Sequence, residues 1–242
     1  MPSRTEGADP VPVVVRHGGR ELTGAARPGE SWAAAAARVA EAVPGDPVAE
    51  DLSGEVKRFV VEPDQRIVLR SMARGDLPIL GRWLREDHVR RWWGNDGNPG
   101  DEQVVARYGP RVDGTTPTRM WVADVNGYSV GFVQDYRIRD YPDVALLTPD
   151  PDAIGLDYVV GEPAWVGRGL GARILWTWMV RARQRFPDAS AYFAAPDHAN
   201  AASLRILDKV GFARGTWFDE PQRDGTTATV IGCTLDVRRV LG

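Results

Sequence analysis

Gly155-Leu156-Asp157-Tyr158-Val159-Val160-Gly161-Glu162-Pro163-Ala164-Trp165-Val166-Gly167-Arg168-Gly169-Leu170-Gly171 is the stretch from which the fold can be read. Ile154–Val160 is apolar and β-branched and reads as a strand. Glu162 to Val166 make a short linker, and the alternating Gly167, Gly169 and Gly171 make a turn whose backbone can approach an anion closely. Downstream, Ile174, Leu175, Trp178 and Met179 recur at the spacing of one helix face, so an amphipathic helix begins where the glycines end. The N–H groups and dipole at that helix start favour a phosphate, and Arg168 adds a charge-assisted contact.

Two other phosphate-binding patterns compete for the same residues. Gly167-Arg168-Gly169-Leu170-Gly171-Ala172 fits the G-x-G-x-x-A form of a dinucleotide turn. In that fold the turn follows its strand directly and more strand–helix units come after it, whereas here a linker intervenes and about 70 residues remain. A Walker loop requires a Gly-Lys-Ser/Thr ending that is missing. A glycine turn with no ligand is the plain structural alternative.

Upstream, Arg119–Val125 and Ser129–Tyr136 are β-rich runs separated by Asn126-Gly127-Tyr128, and Asn-Gly between such runs signals a hairpin. Arg66–Ser71 alternates as a half-buried strand does, and Asp76 is a candidate cap for a helix through Trp83-Leu84-Arg85. Glu86 to Gly94 follows, ending in Trp92-Trp93-Gly94, and a loop rich in Asp and Pro occupies Asp140 to Asp152. Downstream, Ser190–Ala194 reads as a strand, and Asn200–Val210 as a helix with Leu204, Leu207 and Val210 on one stripe and Gly211 as its stop. Thr229–Leu235 reads as the last strand. The order of elements is that of a mixed α/β domain, expected over residues 63–242.

Residues 1–62 form an extension with strand, helix, strand character. Val11–Arg16 is the first strand, Ser31 caps an alanine-rich helix to Val43, and Glu55–Val61 is the second strand. Residues 1–10 look like a loose tail, and Glu62-Pro63-Asp64 makes a plausible boundary. Nothing in the extension carries chemistry, and packing or self-association is its expected role.

Composition narrows the function classes. The lone Cys233 excludes an intrachain disulfide, and three scattered histidines make a zinc site unexpected, so no metal is anticipated. A net charge of −3 argues against a nucleic-acid partner, and the apolar runs are too short for a membrane span. The N-terminus lacks the apolar stretch of a secretory signal, so a cytoplasmic location is the expectation.

The strand, glycine turn and helix resemble the pyrophosphate-binding motif of GNAT acyltransferases. The likeness extends through Trp83-Leu84, His88 and Trp92-Trp93-Gly94, Gly155-Leu156-Asp157, Pro196 to Asn200 and Lys209-Val210-Gly211-Phe212. Together these resemble aminoglycoside 6′-N-acetyltransferases over about residues 66–237, with siderophore-type lysine N-acyltransferases as close relatives. The resemblance implies a GNAT fold and direct acetyl transfer from acetyl-CoA to a small-molecule amine, an aminoglycoside first. A lysine-type amine is the runner-up and a non-catalytic CoA-binding sensor a third possibility. It implies Asp157 as base and substrate anchor, and Val159 as the backbone donor to the thioester oxygen. Val166, Gly167, Arg168, Gly169, Leu170, Gly171 and Asn200 would hold the donor, with Asn200 equally readable as a helix cap. Trp92 and Trp93 are candidate substrate walls, and Asp135 a second anionic contact. This chain departs from the aminoglycoside pattern twice. Leu207 stands where those enzymes have a tyrosine that protonates the thiolate, and Ala195 where they have an acidic residue. Oligomeric state is not readable from the sequence.

Overall fold

A computed structural model describes residues 9–61, 66–93, 98–142, 150–222 and 225–242. The expected tail over residues 1–8, the boundary at Glu62-Pro63-Asp64, Gly94 and the centre of the Asp/Pro loop lie outside the described residues. In the N-terminal part, β1 (Pro12–His17) and β2 (Arg20–Ala25) precede α1 (Trp32–Val39), β3 (Val48–Asp51) and β4 (Lys57–Val60). They form a four-stranded sheet of order β2-β1-β4-β3, in which β1 runs parallel to β4. The expected strand, helix, strand pattern therefore lacks two strands. β2 has no buried residue, so its sequence carries no apolar alternation. Ser31 caps α1 as expected, accepting from the Ala34 N–H at 3.2 Å. Arg38 chelates Glu30 and also donates to the Ala25 carbonyl at 2.8 Å, fastening α1 to β2.

The larger sheet has seven strands in the order β10-β11-β9-β8-β7-β6-β5. These are β5 (Ile67–Ser71), β6 (Arg119–Val125), β7 (Tyr128–Arg137), β8 (Ile154–Val160), β9 (Ala191–Ala194), β10 (Ala213–Pro221) and β11 (Thr227–Asp236). The Asn126-Gly127 turn closes the β6–β7 hairpin, with φ of 50° and 86° at the two residues, the left-handed pair that such a two-residue turn requires. On one face lie α2 (Leu77–Arg85), α3 (Asp87–Arg90) and α4 (Asp101–Val112), whose Leu80, Trp83, Val89 and Tyr108 pack on Val122 and Phe132. Asp76 does not cap α2 with its side chain. Its carboxylate instead takes two bonds from Arg70, which also reaches Asp124 across β6.

The opposite face holds α5 (Leu170–Arg185) and α6 (Ala201–Lys209), and the chain closes with α7 (Val237–Val240). Val13, Trp32, Leu52 and Phe59 of the extension share one continuous apolar cluster with Trp176 of α5 and Leu207 and Val210 of α6. Phe59 meets Trp176 edge to face at 5.6 Å, and the Leu52 N–H donates to the Lys209 carbonyl at 2.7 Å. The extension is thus built onto the two helices that follow the glycine turn. Among the described residues no helix is long and apolar enough to cross a membrane, and no cluster of three His, Cys, Asp or Glu side chains is placed to hold a metal.

Candidate active site

The sheet opens beside Asp157. β8 pairs with β7 along the whole of β8, from Gly131 opposite Val160 to Arg137 opposite Ile154. β8 pairs with β9 only at Ile154 with Tyr192 and Gly155 with Phe193, in parallel. From Leu156 onward the far edge of β8 has no strand partner, and its polar backbone faces the gap so formed. In an antiparallel ladder the residues that point at the partner alternate with those that point away. The Gly161 and Glu162 N–H groups both bond the Val130 carbonyl, a bulge that sets this phase. Val159 then turns its N–H to β7, and Tyr158 and Val160 turn theirs to the gap. His88 Nε2 sits 2.9 Å from the Val160 carbonyl, consistent with that phase. Val159, where a backbone donor was expected, thus has its N–H turned to β7, and the gap-facing N–H groups are those of its two neighbours.

The glycine turn lies at the end of that gap. Gly167 and Gly169 hold φ of 77° and 76°, a region that costs any residue with a Cβ. Gly169 is the N-cap of α5 and has no side chain to satisfy the first-turn N–H groups, which are left for an external acceptor. Val166, Gly167, Arg168 and Gly169 are exposed, whereas Leu170 and Gly171 are buried. A Cβ on Gly171 would stand 2.6 Å from Ile206 Cδ1, so this glycine lets α5 approach α6. The turn therefore fits a pyrophosphate through backbone donors, with Arg168 beside it. Asn200 caps α6, its side chain accepting from the Ser203 N–H at 3.1 Å.

Asp157 lies among polar groups drawn from three other elements, β7, α4 and β10. Gln134 of β7, directly opposite in register, donates from Nε2 to Asp157 Oδ2 at 2.8 Å. Arg111 of α4 donates to Gln134 Oε1 at 2.6 Å and stacks over the Tyr108 ring. Burial pushes the Asp157 carboxyl above the usual carboxylate range, opposed by the Gln134 hydrogen bond and the charges of Arg111 and Arg107. Glu220 of β10 is raised by its own burial and then by the Asp157 charge. Tyr136 of β7 is raised first by the Asp157 charge and then by burial. A half-buried carboxyl raised in this way is the kind of group that can serve as a base.

Asp135 is not brought to this group. Neighbouring strand residues face opposite sides, so Gln134 shares the face of Asp157 while Asp135 points to α5. There it is 1 % exposed, accepts from the indoles of Trp121 at 2.6 Å and Trp178 at 3.0 Å, and pairs with Arg185 at 3.3 Å. These donors make it an anchor between sheet and helix, and we leave it out of the site. Trp93 donates to the Tyr108 hydroxyl at 2.8 Å and packs edge to face on Phe132, while Trp92 is 37 % exposed. Of the pair, Trp92 is the more exposed and Trp93 is half-buried. Leu207 is fully buried in the apolar cluster. The hydroxyl pair of Tyr158 and Ser203, 2.8 Å apart, stands one helical turn before it.

Sequence patterns missed Gln134, Arg111, Tyr136 and Glu220. Period-two alternation against Asp157 would have selected Gln134 over Asp135. Gly109 and Pro110 interrupt the helical pattern that delivers Arg111, and the exposed β10 conceals the strand that delivers Glu220.

The acetyltransferase (GNAT) domain model matches residues 73–220, more than half of the chain. The chain belongs to the GNAT acetyltransferase family. Among its relatives, the aminoglycoside N(6′)-acetyltransferase type 1 of Klebsiella pneumoniae is 27% identical over 176 residues, 72% of this chain and 83% of that protein. The Serratia marcescens protein of the same description gives the same figures. The solved structure of aminoglycoside acetyltransferase AAC(6′)-Ib with coenzyme A and kanamycin is 26% identical, with a TM-score of 0.59 over 69% of this chain and 94% of that one. As a GNAT acetyltransferase the chain is an acyltransferase, and AAC(6′)-Ib is solved in complex with acetyl-CoA and with coenzyme A.

Proposed function

We propose that the chain transfers the acetyl group of acetyl-CoA directly to an amino group of a small cationic molecule, the 6′-amine of an aminoglycoside first among acceptors. The observation that carries this is the half-buried Asp157 carboxylate, held by Gln134 on the strand whose far edge opens to the gap. The acceptor enters as an ammonium, and Asp157 binds it and takes its proton, directly or through water. The neutral nitrogen attacks the thioester carbon, the carbon–nitrogen bond forms, the carbon–sulfur bond breaks with the electron pair leaving on sulfur, and the proton still in excess on nitrogen passes to that thiolate, giving the amide and free CoA thiol. A gap-facing N–H of Tyr158 or Val160 is the donor for the oxygen that gains charge. The first-turn N–H groups of α5 hold the pyrophosphate. Trp92 and Glu220 are the acceptor-side walls. The site is proposed to need no metal, and no membrane or nucleic acid as partner.

A second acceptor class is favoured by one feature. A cavity of about 520 Å³ at the adjoining end of the sheet is lined by Arg111, Arg119, Arg137 and Arg185, against Asp135 and Asp140. That excess of guanidinium suits an amine that also carries a carboxylate, as a lysine derivative does, better than a polycation.

A thiol-release assay with acetyl-CoA against kanamycin-type aminoglycosides, polyamines and lysine derivatives separates the two, with mass spectrometry of the products. An acetylated aminoglycoside supports the first acceptor, acetylation confined to lysine derivatives supports the second, and CoA binding with no turnover supports a sensor instead. The donor half has its own check. Alanine in the left-handed conformation of Gly169 costs about 1–2 kcal/mol. Gly169→Ala is therefore expected to weaken CoA binding by about 5–30-fold in calorimetric titration, and unchanged affinity would remove the turn from the donor site.

A further inference from the structure

Arg111 has only donors and Gln134 has one oxygen and one amide nitrogen, so their contact fixes more than a distance. The guanidinium can bond only to Oε1, at 2.6 Å, which turns Nε2 toward Asp157 Oδ2 at 2.8 Å. Gln134 is 8 % exposed, so little water is at hand to replace either bond. Arg111 is itself held, stacked on the Tyr108 ring, and the Tyr108 hydroxyl accepts from Trp93. We infer that Arg111 and Gln134 are positioning residues for Asp157: the guanidinium orients the amide, and the amide ties down Oδ2 so that Oδ1 is left for the acceptor amine.

Without Arg111 the amide can flip and present its oxygen to the carboxylate, an arrangement that only a protonated Asp157 tolerates. Removing Gln134 leaves burial to act on the carboxylate with one opposing hydrogen bond fewer. The charged and titratable groups facing Asp157 are Arg107 and Arg111 from α4, Tyr136 from β7 and Glu220 from β10. Of these, Arg111 reaches it through the Gln134 side chain, hydrogen-bonded to both. This rests on Asp157 being the proton acceptor, but the hydrogen-bonded chain itself is tested without a substrate.

The experiment is a carboxyl ¹³C NMR titration of the full chain labelled at aspartate, with the Asp157 signal identified by its loss in Asp157→Asn. Arg111→Gln and Gln134→Leu are both expected to move the Asp157 midpoint to higher pH, and Arg111→Lys, which still donates to Oε1, to restore it. Turnover at pH 7 of the amine selected by the panel is expected to fall about 10–100-fold in the first two variants, with KM for acetyl-CoA unchanged. The variants remove different links, so either one that keeps its CoA affinity decides the matter. A wild-type midpoint in that variant overturns the inference, as does an effect of Arg111→Gln confined to KM for the acceptor, which would make Arg111 a direct substrate contact. Full turnover in Asp157→Asn would remove the base and leave the titration to judge the chain of hydrogen bonds by itself.

Discussion

Asp157→Asn is expected to cut turnover by about 10²–10⁴-fold while leaving CoA affinity unchanged and raising the melting temperature. The first effect follows from removing the group proposed to accept the ammonium proton. CoA affinity is expected to persist because the proposed donor contacts are backbone groups of the turn and of the gap, none of which the substitution touches. The rise in stability follows from linkage. Burial holds the Asp157 carboxyl above its unfolded value despite Gln134, Arg111 and Arg107. A carboxyl raised on folding destabilises the chain once ionised, so its contribution worsens as pH climbs through the folded value. Asparagine cannot ionise, yet its oxygen still accepts from Gln134 Nε2. Rate measurements, calorimetric titration with CoA and thermal melts at pH 7 check the three parts. Unchanged turnover would remove Asp157 from the chemistry, and a fall in melting temperature would mean that its charge is better compensated than the four facing groups allow. The same raised carboxyl predicts an acidic limb in the pH–rate profile above the usual carboxylate range, absent in Asp157→Asn.

Phe59→Ala is expected to destabilise the entire chain by about 3–5 kcal/mol, a large share of the roughly 5–15 kcal/mol typical of a domain. Phe59 is fully buried, and its ring meets Trp176 in the middle of α5. The cavity left by alanine would open between the extension and the helix that carries the glycine turn. Because Val13, Trp32, Leu52, Leu207 and Val210 belong to the same apolar cluster, we propose that the extension and the acetyltransferase domain unfold together. Differential scanning calorimetry distinguishes this from independence. One transition, moved to lower temperature by Phe59→Ala, is the expected result. Two transitions, with only the smaller displaced, would make residues 1–62 a separate unit. The packing role anticipated for the extension thereby acquires a definite partner, the outer face of α5 and α6.

Local chemistry announced itself in the sequence where partners lie within a few residues. Asn126-Gly127 is a hairpin turn because both residues must take positive φ, and Ser31 and Asn200 are caps because each accepts from an N–H three residues on. The alternating glycines around Arg168 required a tight turn before a helix whatever surrounded them. Family membership was legible in the same stretches, since the glycine turn and the strand before it carry the motif. Asp157 stood out through its place on that strand. Its partners did not: Gln134 and Asp135 are adjacent and both polar, and the strand pleat, with its register against β8, sends the first to the base and the second to Trp121, Trp178 and Arg185.

By itself, then, the sequence determined the hairpin, the caps at Ser31 and Asn200, the left-handed glycine turn and the strand that feeds it, because each is set by backbone sterics and hydrogen bonds between near neighbours, whereas Asp76 was drawn from its cap by Arg70, a partner on another element. Only the tertiary structure decided what surrounds Asp157 and what covers α5. Arg111, Gln134 and Glu220 come together there through the order of strands and the packing of α4. The burial that raises the carboxyl, like the apolar contact of Phe59 with Trp176, exists only once distant elements have excluded water between them.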